Sequence, residues 1–338
     1  MDIVQVDPRD SAAVQTLHRI YTEVGYADNP ETFVAAPAEE IQEVLRAPTA
    51  RFSFTAFLGF DDGAPVASGW SAFDIKDNPA LAYLTPRVLP AHRRRGHGTQ
   101  ILEAMESHAA VHGRTLFQTF GVWVSAAGAD GATAAPVRFA ASRGWEHANT
   151  DARQRLELPA GRAAQDALLA QRAGRRKGYS TRAWAGPVPE ELLADWAVLH
   201  AAVSADAPHG SLDAPAEAVD ADVIRDDERI LAQTGQLKVN AAAISAQGEV
   251  VAYASLRTRI GAAEPAFAQG TIVRRDHRGR GLGALVKVQA LRLLEQTRPD
   301  IPAVITENAL QNEPMLAINR ALGWVPVLYS GDFQKRAG

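Results

Sequence analysis

The sequence repeats itself once, and the register of that repeat limits the fold more than any other feature. Arg278-Gly279-Arg280-Gly281-Leu282-Gly283 has a counterpart in Arg93-Arg94-Arg95-Gly96-His97-Gly98. Val88, Arg93, Gly96 and Gly98 each stand 185 residues before Val273, Arg278, Gly281 and Gly283, and Gly63 stands the same distance before Gly248. A later landmark, Gly144-Trp145, precedes Gly323-Trp324 by 179 residues, so a short insertion or deletion lies between it and the others. Register held over such a span marks a tandem duplication. At 338 residues the chain is long enough for two domains. The expected division is a first domain over 1–158, a connector over 159–178 and a second domain over 179–338.

Each copy runs through the same elements. A strand (Ile3 to Val6; Tyr179 to Trp184) leads into a helix. The first helix is capped by Asp7 or Asp10, with Val14, Leu17, Ile20 and Tyr21 on one face, and the second opens at Pro187 and runs through Leu199. Two strands follow as a hairpin, turning at Asp61-Asp62-Gly63-Ala64 and again at Ser245-Ala246-Gln247-Gly248. A third strand (Leu81 to Leu89; Ala268 to Val273) precedes the glycine turn, and a helix (Thr99 to His112; Ala284 to Glu295) follows it. A strand and a short helix ending at Gly144 or Gly323 complete the pattern. Arg153 to Leu158 closes the first copy as a strand. Pro159 to Lys177 is rich in Ala, Arg and Gln and reads as a solvated connector.

A glycine turn between strand and helix gathers backbone N–H groups at a helix N-terminus, which suits a phosphate. Arg274, Arg275, His277, Arg278 and Arg280 add positive charge there. A dinucleotide fingerprint requires its glycines after the first strand of a βαβ unit, whereas a hairpin precedes the turn here. A P-loop requires Gly-Lys-Ser/Thr, which is absent.

Val-x-x-x-x-Arg-x-x-Gly-x-Gly after a strand pair and before a helix, followed by a strand, an Asn, a short helix and Gly-aromatic, resembles the acyl-CoA-binding core of the GCN5-related N-acetyltransferases (GNAT). The downstream part reads Thr306-Glu307-Asn308 through Asn312, then Asn319 and Leu322-Gly323-Trp324. The likeness covers nearly the whole chain, once per half, as in the tandem two-domain actinobacterial members. It implies an α/β fold (α+β, with a mixed sheet) built twice, and acetyl-CoA or another acyl-CoA as acyl donor without a metal. By resemblance, Arg278, Gly279, Arg280, Gly281, Leu282, Gly283 and Ala284 hold the CoA pyrophosphate. Ile272 and Val273 pair with the pantetheine arm, and Asn312 bonds that arm or caps the next helix. In the first copy the matching residues are Val88, Arg93, Arg94, Arg95, Gly96, His97, Gly98 and Thr99.

The family's reaction is direct attack of an amine on the thioester. The carbonyl is polarised by a backbone N–H seven residues before the motif arginine: Thr271 in the second copy, but Pro86, which has no N–H, in the first. The leaving-group acid is often a tyrosine four residues before Gly-aromatic. Those positions hold Asn319 and Ala140, so the usual acid is missing and Asn319 is at best a hydrogen-bond donor. Glu307 is the first choice of base, with Glu264 and water chains as alternatives and His209 in the region where family members form the acceptor pocket. On this asymmetry the second copy is expected to be catalytic and the first degenerate, structural or CoA-holding.

Net charge of −4 gives no general attraction for nucleic acid. There are no cysteines, which fits a cytoplasmic protein, and no signal peptide or membrane span is read. Acidic residues from Asp206 to Glu228 line a cationic amine's pocket or simply coat a solvated helix. The expected partner is a small-molecule amine, and tandem fusion makes a monomer the expected state. Two rival readings are a protein or peptide N-acetyltransferase and a non-catalytic acyl-CoA-binding protein.

Overall fold

The computed structural model describes residues 1–214 and 217–337. Their contacts divide into two compact units: 1–150 with 209–213 and 328–338, and 151–208 with 214–327. Each is an α/β unit with a mixed sheet.

The first unit contains β1 (Asp2–Gln5), α1 (Ser11–Asp28), α2 (Ala38–Arg46), β2 (Phe52–Asp61), β3 (Ala64–Asp74), β4 (Leu81–Val88), α3 (His97–Val111), β5 (Leu116–Val124) and α4 (Ala135–Ser142). β6 (Glu146–Glu157) then leads into the second unit, which holds α5 (Arg162–Ala170), β7 (Ser180–Ala185), α6 (Glu190–Asp206), α7 (Ala221–Gln233) and β8 (Gln236–Ile244). β9 (Val250–Arg259), β10 (Ala266–Val273), α8 (Leu282–Thr297), β11 (Ala303–Ala309) and α9 (Glu313–Leu322) complete it, and β12 (Val325–Arg336) ends the chain.

The sheet of the first unit runs β1-β2-β3-β4-β5-β12, and that of the second β7-β8-β9-β10-β11-β6. Among the described residues, the parallel pair in each is the one flanking the crossover helix: β4 with β5 and β10 with β11. Helices cover both faces. In the first unit α1 buries Val14, Leu17, Ile20 and Val24 on one face, and α3 buries Ile101, Leu102 and Met105 on the other. The second unit repeats this with Leu192, Leu193 and Trp196 of α6 and Val286, Leu291 and Leu294 of α8. The capping expectation resolves to Asp10, whose carboxylate accepts from the N–H groups of Ala12 and Ala13.

The compact units do not coincide with the expected halves. β12, not among the elements read from the sequence, pairs antiparallel with β5 from Leu328↔Val124 to Arg336↔Leu116. β6 pairs with β11 from Asp151↔Ala309 to Glu157↔Ala303. The last strand of each sequence copy therefore completes the sheet of the other copy. The two strands occupy equivalent places in the repeat, so local pattern cannot tell which sheet edge each joins.

The connector expectation is corrected as well. Residues 162–170 form α5, and Gln165 is fully buried. Arg292 of α8 donates to Gln165 Oε1 at 2.8 Å, and the Ala160 N–H donates to Glu295 at 2.8 Å. This segment is a packed part of the second unit.

Candidate acyl-CoA site

The site geometry begins where two parallel strands part. β10 and β11 pair only at Ala266↔Val304 and Phe267↔Ile305, after which both continue unpaired with each other. Antiparallel strands alternate bonded and non-bonded residues. The Arg274 N–H donates to Val251 of the β9 side at 2.8 Å, so Ile272 also faces β9. Thr271 and Val273 therefore turn their N–H groups into the gap. In the first unit β4 and β5 pair at Leu81↔Leu116, Ala82↔Phe117 and Tyr83↔Gln118, and the Leu89 N–H donates to Val66 at 3.0 Å. The same alternation turns Val88 and position 86 into the gap, and Pro86 has nothing to donate.

A second difference separates the two strands. β10 shifts register against β9 between Ala268 and Gly270. β4 pairs with β3 from Ala67↔Val88 to Phe73↔Ala82 without a shift. A bulge bends its strand and re-aims the residues after it, here Thr271.

The glycine turns end at uncapped helices. Gly281 and Gly96 precede α8 and α3 with φ of 78° and 87°, and no side chain caps either helix. Such φ values suit glycine because a Cβ would crowd the backbone. The first N–H groups of α8, at Leu282, Gly283 and Ala284, and those of α3, at His97 and Gly98, therefore lack side-chain acceptors. The Thr99 N–H is taken by Gly96 O at 3.1 Å. His97 buries its ring, with Nε2 at 3.4 Å from Asp61.

Both motif arginines are tied to the strand ends beside the gap. Arg278 Nε donates to Val273 O at 3.1 Å and Nη2 to Asp206 at 2.6 Å. Arg93 Nε donates to Val88 O at 3.0 Å and its other nitrogens to Asp28 at 2.8 and 3.0 Å. Asp28 and Asp206 are the last residues of α1 and α6, so each arginine ties a helix C-terminus to the strand end beside the gap. Arg274 binds Asp276 and Glu249, Arg275 binds Asp206, and Arg280 donates to Asp276 O. Arg94 and Arg95 are exposed, with no ion pair among the described residues. In the second unit, positive charge comes from the segment read as a connector. Arg172 and Arg175 donate to Gly279 O at 3.0 and 3.4 Å.

Several of the expected site residues have partners within the fold. Asn319 is fully buried: its carbonyl oxygen accepts from Lys287, and its amide donates to Gln154 at 2.6 Å and Asn308 at 2.8 Å. Both amide protons are spent, so it has none to offer a thiolate. Glu307 is held at 2.9 Å by Arg153 across the β11–β6 pair. Asn312 caps α9, accepting from the Met315 N–H at 3.4 Å. Glu264 binds Arg259. His209 belongs to the 209–213 segment that groups with the first unit. The acidic run is largely consumed: Asp206 by Arg275 and Arg278, Asp227 by Lys238, Glu228 by Arg225, and Asp220 as the cap of α7.

Two residues not singled out from the sequence come to the fore. Tyr253 of β9 stacks on Trp196 with ring centroids 4.1 Å apart. Its hydroxyl lies on the Gly270 side, 3.9 Å from where a Cβ there would stand. Burial first, then Glu217, pushes its hydroxyl above the usual range, which keeps it a neutral donor. Lys287 of α8 is 2% exposed, with Nζ 4.5 Å from the Trp324 ring centre, and burial pushes it down to about 7. An apolar strand and an apolar helix concealed both residues in the sequence.

No family model and no curated protein matches the chain. Solved structures do. A tandem GNAT protein from the clavulanic acid biosynthesis pathway superposes with a TM-score of 0.77 at 24% identity, over 100% of this chain and 98% of that one. The chain has the tandem GNAT fold. A GCN5-related N-acetyltransferase from Sphaerobacter thermophilus matches this chain at a TM-score of 0.61 and 16% identity, over 99% of this chain and 96% of that one. The glucosamine N-acetyltransferase region of a fungal multi-domain β-N-acetylglucosaminidase gives 0.63 at 12% identity, over 99% of this chain and 38% of that one.

Proposed function

We propose that the second unit transfers an acetyl or short acyl group from acyl-CoA to the primary amine of a small molecule by direct attack. The observation that carries this reading is the gap beside β10, into which strand alternation turns the Thr271 and Val273 N–H groups next to an uncapped helix terminus. An extended amide-bearing arm fits such an edge as an added strand. The acyl-CoA supplies a thioester whose carbonyl must be polarised and whose thiol must leave. The Thr271 N–H is placed to stabilise charge building on that carbonyl oxygen. The neutral Tyr253 hydroxyl, beside the bulge, supplies a hydrogen-bond donor in place of the missing tyrosine. The first unit, with Pro86 on an unbulged β4, holds acyl-CoA without transferring it.

A thiol-release assay with acetyl-CoA over a panel of small amines tests this, with Thr271→Pro as control. Turnover on at least one amine, lost in the variant while acetyl-CoA binding persists, supports it. Tight acetyl-CoA binding without turnover on any amine favours a binding protein instead, a reading supported by the fully committed amide of Asn319. Preference for lysine-rich peptides over small amines would move the acceptor to protein.

A further inference from the structure

The first unit contains a cavity that the acyl-transfer reading does not use. It measures about 220 Å³ and lies between α1, α2, β3 and β4. Its walls include Leu17 and Tyr21 of α1, Ile41 and Val44 of α2, and Trp70 of β3. Arg87 of β4 enters it as well, stacked over the Tyr21 ring at 5.0 Å. Arg87 makes no ion pair among the described residues. Burial works against its charge, opposed by Tyr21 and by Asp28, and Asp28 is already held in a two-point pair by Arg93. Glu40 of α2 also lines the cavity.

We propose that this cavity binds a small monocarboxylate with a compact apolar body, its carboxylate on the Arg87 guanidinium. A guanidinium presents a planar fork of donors that matches a carboxylate at two points. The apolar walls account for the rest of the ligand. A cavity of about 150 Å³ takes a benzene ring, so this one accommodates roughly nine or ten non-hydrogen atoms. The ligand is not an acyl acceptor at this unit, because Pro86, next to Arg87, cannot polarise a thioester carbonyl. The proposal is independent of transfer in the second unit.

Benzoate is the probe. Titration calorimetry on the full chain should show one equivalent bound. On the unaltered protein, benzamide and benzylamine should bind at least about tenfold more weakly, since each loses the charge-assisted pair. Arg87→Gln should weaken benzoate binding by roughly 10- to 100-fold and leave acetyl-CoA affinity in place, and Arg87→Lys should fall between. Quenching of Trp70 fluorescence by benzoate, lost in Trp70→Phe, locates the site. The proposal is overturned if benzoate does not bind at millimolar concentration. It is equally overturned if benzylamine binds as well as benzoate, if Arg87→Gln binds benzoate unchanged, or if quenching survives Trp70→Phe. The comparison of three ligands on the unaltered chain decides the matter even if a variant fails to fold.

Discussion

At the scale of single residues, Thr271 and Pro86 are the most informative pair. They occupy the same register, opposite Ala254 and Gly69. β4 forms with proline there, so proline is compatible with this strand edge, and Thr271→Pro removes a donor without removing the strand. Loss of one oxyanion donor costs about 100-fold or more in kcat. That drop, with a much smaller change in acetyl-CoA affinity, is the expected result of steady-state kinetics beside calorimetry; unchanged kcat would sink the role given to Thr271. Lys287 yields a second prediction. An unfolded lysine titrates near 10.4, whereas burial holds this one down to about 7. Below the lower value both states are protonated and the folded state bears the whole cost of the buried charge. Between the two values the unfolded chain binds more protons, so stability rises with pH, by at most about 1.4 kcal/mol per unit. Lys287→Met should flatten this rise. Urea unfolding of both proteins at intervals from neutral to alkaline pH checks it, and equal slopes would contradict it.

At the scale of elements, the glycine turns look interchangeable in sequence and are not so in their surroundings. A Cβ at Gly96 would meet only Gln100, at 3.8 Å, whereas one at Gly281 would lie 2.9 Å from Arg172 Cβ. Both positions have left-handed φ, which costs a β-branched residue about 1–2 kcal/mol. Gly281→Val adds a collision with α5's trailing segment, so it should lower the thermal midpoint more than Gly96→Val; the reverse order in calorimetric melts would refute this packing account. Arg172 and Arg175 also make a specific claim about the loop. Their guanidinium groups stand at Gly279 and bring positive charge to the turn proposed to hold the pyrophosphate. Replacing both with alanine should weaken acetyl-CoA binding roughly tenfold at low salt and less at high salt. Tighter binding in the double variant would mean that they obstruct the loop.

At the scale of the whole molecule, strand exchange makes each sheet depend on the far part of the chain. Ending the chain after Val327 removes the partner of β5 from 116 to 124 and uncovers Phe117 and Trp123, which Phe333 helps to bury. The truncated protein should lose the cooperative unfolding of its first unit in Trp fluorescence, while acetyl-CoA still binds the second; an unaltered unfolding curve would show that β12 is dispensable. By itself the sequence determined the duplication, the order of the elements that the two copies share up to Gly-Trp, both glycine turns and the inequality of Thr271 and Pro86. Those properties are local: they rest on periodicity, turn chemistry and the missing N–H of proline. Tertiary structure alone decided which edge β6 and β12 join, because equivalent strands carry equivalent local signals. It also assigned the polar groups. Asn319, Asn312, Glu307 and the motif arginines looked free along the chain, yet each finds a partner up to 165 residues away in sequence, as Asn319 does in Gln154. A buried donor must be satisfied wherever the fold places it, and no spacing rule reveals that placement. The bulge in β10 and the cavity around Arg87 belong to the same class, since each arises from how neighbouring elements meet.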